Sequence, residues 1–181
     1  MGYTGAPNDN GTCRNCHSGG SPAPTITLKE QGGTTPTTYT PGGSQMTLQV
    51  VVTHPTASTY GFQVTVVDQN GGNAPNQTLA TTGQTNTTLQ TGSNGRKYIA
   101  HQSAGSINTW TFRWTPPANN IGPITWYVAA NAANGNGATS GDAIGTLTLT
   151  LQPATATALE EGAASISPLR WEASALRISA P

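Results

Sequence analysis

The chain predicts an all-β fold, a sandwich of the immunoglobulin type, on three observations. Short runs rich in Val, Ile, Thr and aromatic residues alternate in polarity with a period of two. Clusters of Gly, Pro, Asn and Ser punctuate them at short intervals. A helical period is almost absent, so strands have no helices to cover them and must bury their apolar faces against one another.

In chain order the strands fall at 25–28, 46–53, 60–68, 97–100, 109–115, 124–130 and 144–151. Pro41-Gly42-Gly43, Asn70-Gly71-Gly72, Ser93-Asn94-Gly95, Pro116-Pro117 and Asn134-Gly135-Asn136-Gly137 supply the turns between them. Trp110, Phe112 and Trp114 occupy alternate positions of one strand, so one face carries three rings and is read as core. Residues 1–24 form a Gly-, Pro-, Asn- and Ser-rich head with almost nothing apolar to pack, expected to take its order from something bound. Residues 25–152 are the sandwich, and 153–181 a linker and tail. The tail alternates again around Ile166-Ser167-Pro168 and Ala175-Leu176-Arg177-Ile178-Ser179, as a sorting segment, a docked strand or a strand given to a neighbouring subunit would.

At 181 residues the chain holds one principal core. Only 8% of residues are charged, with seven Lys or Arg against seven Asp or Glu, so no basic surface points to nucleic acid. No apolar run approaches the ~20 residues of a membrane span. Met1 leads into Gly2-Tyr3-Thr4-Gly5 rather than a basic and then apolar segment, and the chain is read as the processed form of an exported protein. Asn10-Gly11-Thr12, Asn76-Gln77-Thr78 and Asn86-Thr87-Thr88 match the glycosylation acceptor pattern, which chance explains in so Asn- and Thr-rich a chain.

The two cysteines of the chain stand three apart in Cys13-Arg14-Asn15-Cys16-His17. C-x-x-C-H is the attachment pattern of c-type haem: two thiols add to the porphyrin vinyl groups and the adjacent imidazole ligates the iron. Two lone cysteines fall at this spacing by chance about once in a hundred chains of this length, before the following histidine is counted. One covalent haem c per chain is the expected cofactor, with His17 as proximal ligand.

For the sixth position the side chains on offer are His54, His101, Met46 and Met1. His101 ends a strand and opens the loop Gln102-Ser103-Ala104-Gly105, and is preferred. His54, before Pro55 at another strand end, is the runner-up. Met46 alternates with Leu48 and Val50 and belongs to the core. Two imidazoles would favour a lower potential than a His/Met pair.

Other chemistries were weighed on the same residues. Zinc would need Cys13, Cys16, His17 and a distant histidine around one tetrahedral ion, which adjacent Cys16 and His17 do not favour. A thioredoxin-like pair needs a helix starting at the motif, which Ser18-Gly19-Gly20-Ser21-Pro22 denies. Asn131, Asn134, Asn136 and Asp142 hint at calcium but bring one carboxylate, so turn formation is preferred. His101, Ser103 and Asp142 lack the glycine-framed nucleophile of a hydrolase. A peroxidase would draw on Arg96 and His101, the second already the preferred ligand.

Thr4-Gly5-Ala6-Pro7, Gly11-Thr12-Cys13 through Cys16-His17-Ser18-Gly19-Gly20, Tyr98-Ile99-Ala100-His101, Trp110–Trp114 with Pro116-Pro117, and Asn131-Ala132-Ala133-Asn134-Gly135 with Ser140-Gly141-Asp142 together resemble the bacterial Reeler-like choice-of-anchor V domain proteins, over about residues 2–151. The resemblance implies a Reeler-like sandwich, an extracellular or outer-surface address and a C-terminal anchoring segment. The tail is similar to a type IX secretion sorting domain, though it is short and lacks that pattern's Asn-Pro. His101 stands where the resemblance has its histidine.

The function expected is an extracellular monohaem c-type cytochrome that passes electrons to a redox partner protein or an external acceptor, without catalysis of its own and with self-association through the tail as a variant. The alternative is a surface adhesion or structural module in which covalent haem only ties the head to the sandwich.

Overall fold

The alternation that identifies the strands also sorts their two faces. In the strand Thr59–Asp68, Tyr60, Phe62, Val64 and Val66 turn toward the sandwich interior. Gly61, Gln63 and Thr65 lie on the opposite face of the pleat. The computed structural model describes residues 2–75, 78–81 and 83–155. Its strands are β1 Ser18–Gly19, β2 Thr25–Glu30, β3 Thr38–Tyr39, β4 Met46–Thr53, β5 Thr59–Asp68, β6 Thr78–Ala80, β7 Thr87–Thr91, β8 Lys97–His101, β9 Thr109–Thr115, β10 Ile124–Ala133 and β11 Ser140–Pro153. They form a seven-stranded sheet in the order β1-β11-β10-β5-β8-β7, with β3 also on β11, and a four-stranded sheet in the order β2-β4-β9-β6. This is the β-sandwich that the alternation predicts.

The core fills the space between the sheets. Trp110, Phe112 and Trp114 of β9 are 2%, 0% and 0% exposed, which places the predicted aromatic face inside. Trp110 stacks on Phe62 at 4.6 Å between ring centroids, and Trp126 of β10 meets both Phe112 and Trp114, at 5.8 and 5.3 Å. Each fully buried large side chain contributes about 1.5–3 kcal/mol relative to an exposed one, so these rings dominate the cohesion of the two sheets.

Of the seven strands read from the sequence, 46–53 and 109–115 have the predicted bounds. β1, β3, β6 and β7 went unread because they are only two to five residues long, too short to show a period, although Tyr39 of β3 and Leu79 of β6 reach the core. β10 and β11 are longer than expected, and the added residues 131–133 and 140–143 carry much of the site described below.

The head departs from expectation. It is pinned to the sandwich by buried polar contacts that its composition does not reveal. Arg96, with a side chain 3% exposed, donates from Nη1 to Asp9 Oδ1 at 2.9 Å and to the Pro7 carbonyl at 2.7 Å. Its Nη2 reaches the Gly71 carbonyl at 2.9 Å and its Nε reaches Asn73 Oδ1 at 3.1 Å. The Tyr98 hydroxyl donates to Asp9 Oδ1 at 2.7 Å, and Thr4 donates its N–H and hydroxyl to Asp9 Oδ2 at 3.0 and 2.6 Å. Burial, with the Asp9 hydrogen bond second, pushes the Tyr98 hydroxyl up to about 12. Arg96 is therefore committed to this clamp. Further along the head, β1 pairs in parallel with β11, matching Gly19 to Asp142. The tail segments around Ile166 and Ile178 lie outside the described residues, as does Met1.

Candidate functional site

Cys13–Asn15 form a single 3-10 turn whose start is closed by a reciprocal cap: Thr12 Oγ1 accepts from the Arg14 N–H at 3.2 Å and Asn15 Oδ1 accepts from the Thr12 N–H at 3.1 Å. The Cys13 carbonyl then accepts from the N–H groups of Cys16 and His17, at 3.2 and 3.0 Å. Side chains three apart in such a turn come close to eclipsing, so the sequence spacing brings the two thiols to one side. Both are free, with Cys13 half-buried and Cys16 exposed. Burial raises the Cys13 thiol to about 11, the reverse of a cysteine activated for thiol–disulfide exchange. Arg14, between them, donates from Nη2 to the Ile144 carbonyl at 3.0 Å and ties the turn to β11.

His17 leaves the turn toward the outer face of the large sheet. Its Nδ1 lies 2.6 Å from Oδ2 of Asp142, whose side chain is 1% exposed. Asn131 Nδ2 lies 3.0 Å from the same ring nitrogen and 3.4 Å from Asp142 Oδ2, and the Asn134 N–H donates to Asp142 Oδ1 at 3.3 Å. A histidine whose Nδ1–H is donated to a carboxylate keeps its lone pair on Nε2, the tautomer a metal ligand needs.

His101 ends β8. The β5–β8 ladder pairs Gln63 with Ala100 and Val64 with Ile99 and stops there. At the next rung the His101 imidazole takes over, with Nδ1 at 3.0 Å from the Phe62 carbonyl oxygen and 3.1 Å from the Phe62 amide nitrogen. The ring can lie there because residue 61 is glycine: a Cβ would stand 2.8 Å from Cε1 and 3.0 Å from Nε2 of His101. As with His17, Nδ1 is engaged and Nε2 has no hydrogen-bond partner among the described residues.

The register places the two histidines on one slot. Ile144 pairs with Asn131, and Asn131 with Gly61, in a line across β11, β10 and β5 that ends beside His101. Two cavity lobes of about 390 and 340 Å³ share Cys13, His17 and His101 in their walls. The first adds Tyr60, Gly61, Asn131 and Asp142, and the second adds Cys16, Phe62, Gln63 and Tyr3. Two thiols at thioether spacing and two imidazoles with free Nε2 atoms, on an otherwise largely apolar slot, are a donor set that fits a covalently attached haem.

The remaining candidates stand elsewhere. His54 accepts at Nδ1 from the N–H groups of Thr56 and Ala57, at 3.3 and 3.1 Å, and its Nε2 lies 3.0 Å from the Pro22 carbonyl. It borders a separate cavity of about 230 Å³ and neither lobe of the slot. Met46 packs against the core opposite Trp114. Among the described residues no three His, Cys, Asp or Glu side chains gather as a metal cluster, so the zinc set is not assembled. Asn134 and Asn136 form successive side-chain turns and donate to the Ser140 carbonyl, and Asp142 belongs to His17 rather than to a calcium site or to His101.

The contribution of Asp142, Asn131 and Gly61 was not read from the sequence. Asp142 carried a signal: in a chain with seven acidic residues, one of them interrupts the start of a strand. Gly61 carried a weaker one, as a glycine inside a strand marks close approach of another group.

No helix among the described residues is long and apolar enough to cross a membrane. No family model matches the chain, and no curated protein matches it. Among solved structures, the Reelin-N domain of F-spondin aligns with a TM-score of 0.54 at 14% identity, covering 79% of this chain and 96% of that one. The human F-spondin reeler domain aligns with a TM-score of 0.49 at 15% identity, covering 76% and 93%. A DUF4466 family protein from Parabacteroides merdae ATCC 43184 gives a TM-score of 0.38 at 13% identity, covering 73% and 44%. At these identities the likeness is one of architecture, and the chain is a Reeler-like β-sandwich with a two-histidine, two-cysteine slot on the outer face of its larger sheet.

Proposed function

We propose that the protein is an extracellular monohaem c-type cytochrome that transfers electrons, in which Cys13 and Cys16 would hold haem c by thioethers and His17 and His101 would ligate its iron. One observation carries this reading: both imidazoles, each anchored through Nδ1, border the slot that the two thiols also line. When bound, such a group supplies one-electron redox chemistry at its iron. The chain's own residues do the rest. The 3-10 turn presents the thiols, Asp142 orients His17 and accepts from Asn131 Nδ2, and Phe62 with Gly61 orients His101. Two pre-oriented imidazoles would favour electron transfer over small-molecule binding, because both would be taken up as ligands of the iron.

The slot lies on the outside of the sheet, Cys16 is exposed and the His17 side chain is 34% exposed, which suits exchange with a partner protein or an external acceptor. The alternative, haem as a mere cross-link in an adhesion module, loses its rationale where the Asp9–Arg96–Tyr98 cluster already fastens the head. Export follows from covalent haem attachment, which is completed outside the cytoplasm, and from the resemblance given above. Assembly through residues 153–181 is a variant of the same reading.

The test is expression in a host competent in cytochrome maturation. The expected product gains one haem mass on Cys13 and Cys16 and shows a reducible, six-coordinate low-spin spectrum. His101→Ala should lose the low-spin signature and His54→Ala should keep it. Colourless protein with free thiols would overturn the cofactor, and an unchanged His101→Ala spectrum would overturn the sixth ligand.

A further inference from the structure

Resting on the reading that His17 and His101 ligate one iron, we propose that Asp142 is a positioning residue that makes His17 the stronger donor of the pair and so holds the site at a lower potential than two imidazoles bonded to neutral acceptors. The two histidines share a slot but not a second partner. His17 gives its Nδ1–H to a carboxylate at 2.6 Å, whereas His101 Nδ1 meets only neutral backbone groups, the carbonyl of Phe62 at 3.0 Å and its amide nitrogen at 3.1 Å. A charged acceptor draws the Nδ1 proton and raises the basicity of Nε2, as carboxylates do behind other metal-bound histidines. Ferric iron carries one more positive charge than ferrous iron, so the more basic donor stabilises the oxidised state and lowers the potential.

Strand pairing does not need this side chain. The backbone at residue 142 is held by the Gly20 N–H, which donates to the Asp142 carbonyl at 3.0 Å, and by the β10–β11 ladder, which pairs Ala132 with Ala143. The carboxylate itself is buried, which costs free energy unless it is well bonded. Of its three side-chain contacts, the 2.6 Å bond to His17 is the shortest, against 3.3 Å to the Asn134 N–H and 3.4 Å to Asn131 Nδ2.

The experiment compares haem-loaded full chains of the wild type, Asp142→Asn and Asp142→Glu. Each is titrated through the one-electron ferric/ferrous couple, with dithionite as electron donor and soluble mediators, and its ferric EPR spectrum is recorded. Asp142→Asn should remain low-spin, with its midpoint shifted upward and its largest g-value raised as imidazolate character is lost; Asp142→Glu should recover part of both shifts. A measurement on the wild type alone guards against a variant that fails to fold: the ¹⁵N resonance of His17 Nδ1 should lie closer to the imidazolate position than that of His101 Nδ1. Unchanged potential and EPR in Asp142→Asn, or equivalent Nδ1 resonances in the wild type, would overturn the role of Asp142 while leaving the haem intact. Wild-type protein without covalent haem would overturn the reading beneath it as well.

Discussion

Residues 2–9 and 12–17 belong to one Gly- and Asn-rich head, and the sandwich treats them in opposite ways. The first stretch is sealed by a buried ionic cluster in which both carboxylate oxygens of Asp9 are claimed, by Arg96, Tyr98 and Thr4. The second is held by its backbone and by the anchoring of His17 and Arg14, while its two free thiols border the slot. A segment too polar to build a core is thus fixed at one end and presented at the other, so that the donor set borders the slot while the clamp holds the head.

Breaking the sealed half should cost the most. Arg96→Met leaves Asp9 as an uncompensated buried charge and is expected to destabilise the protein by about 3–5 kcal/mol, read by chemical denaturation, with residues 2–9 newly open to limited proteolysis. Tyr98→Phe removes one hydrogen bond to that carboxylate and should cost about 1.5–3 kcal/mol by the same measurement. The Tyr98 hydroxyl, at about 12 in the fold against an ordinary value of 10.0, also gives the clamp a pH dependence. Because the folded value is raised, its contribution is complete below pH 10 and is lost as pH rises from 10 toward 12. Tyrosinate absorbance followed alongside unfolding should show this step in the wild type and not in Tyr98→Phe.

The presented half answers to smaller changes. Gly61→Ala puts a Cβ against the His101 ring and should cost about 1–3 kcal/mol by overpacking. In the haem-loaded protein the same substitution should reduce the low-spin fraction in visible spectra, while Arg96→Met leaves that fraction unchanged in whatever protein stays folded. The mildest probe is chemical: with its thiol raised to about 11, Cys13 of the haem-free chain should react with iodoacetamide at pH 8 about a hundredfold more slowly than an ordinary thiol. Peptide mapping of the alkylated cysteines checks this.

The legible parts of the molecule are those governed by neighbours in sequence. Alternation located β4 and β9 to the residue and put Trp110, Phe112 and Trp114 inside, because burial on one face of a pleat repeats every second residue. The C-x-x-C-H spacing singled out Cys13, Cys16 and His17, because a single turn suffices to bring two thiols together. The short strands β1, β3, β6 and β7 were illegible, since two to five residues are too few to show a period and ladder hydrogen bonds use backbone that every residue carries.

What the chain determined by itself is therefore a period-two sandwich and a thiol pair with a histidine beside it. Sequence patterns ranked His101 ahead of His54, and only the tertiary structure shows where each stands: one ends at the slot over Gly61, the other bonds to the Pro22 carbonyl beside a different cavity. It likewise decided that Asp142, 125 residues from His17, backs that imidazole instead of a turn or a cation. Such pairs arise from the register of β1 on β11 and of β11, β10 and β5 on one another, a long-range alignment set by how whole faces bury together and written in no local run of residues.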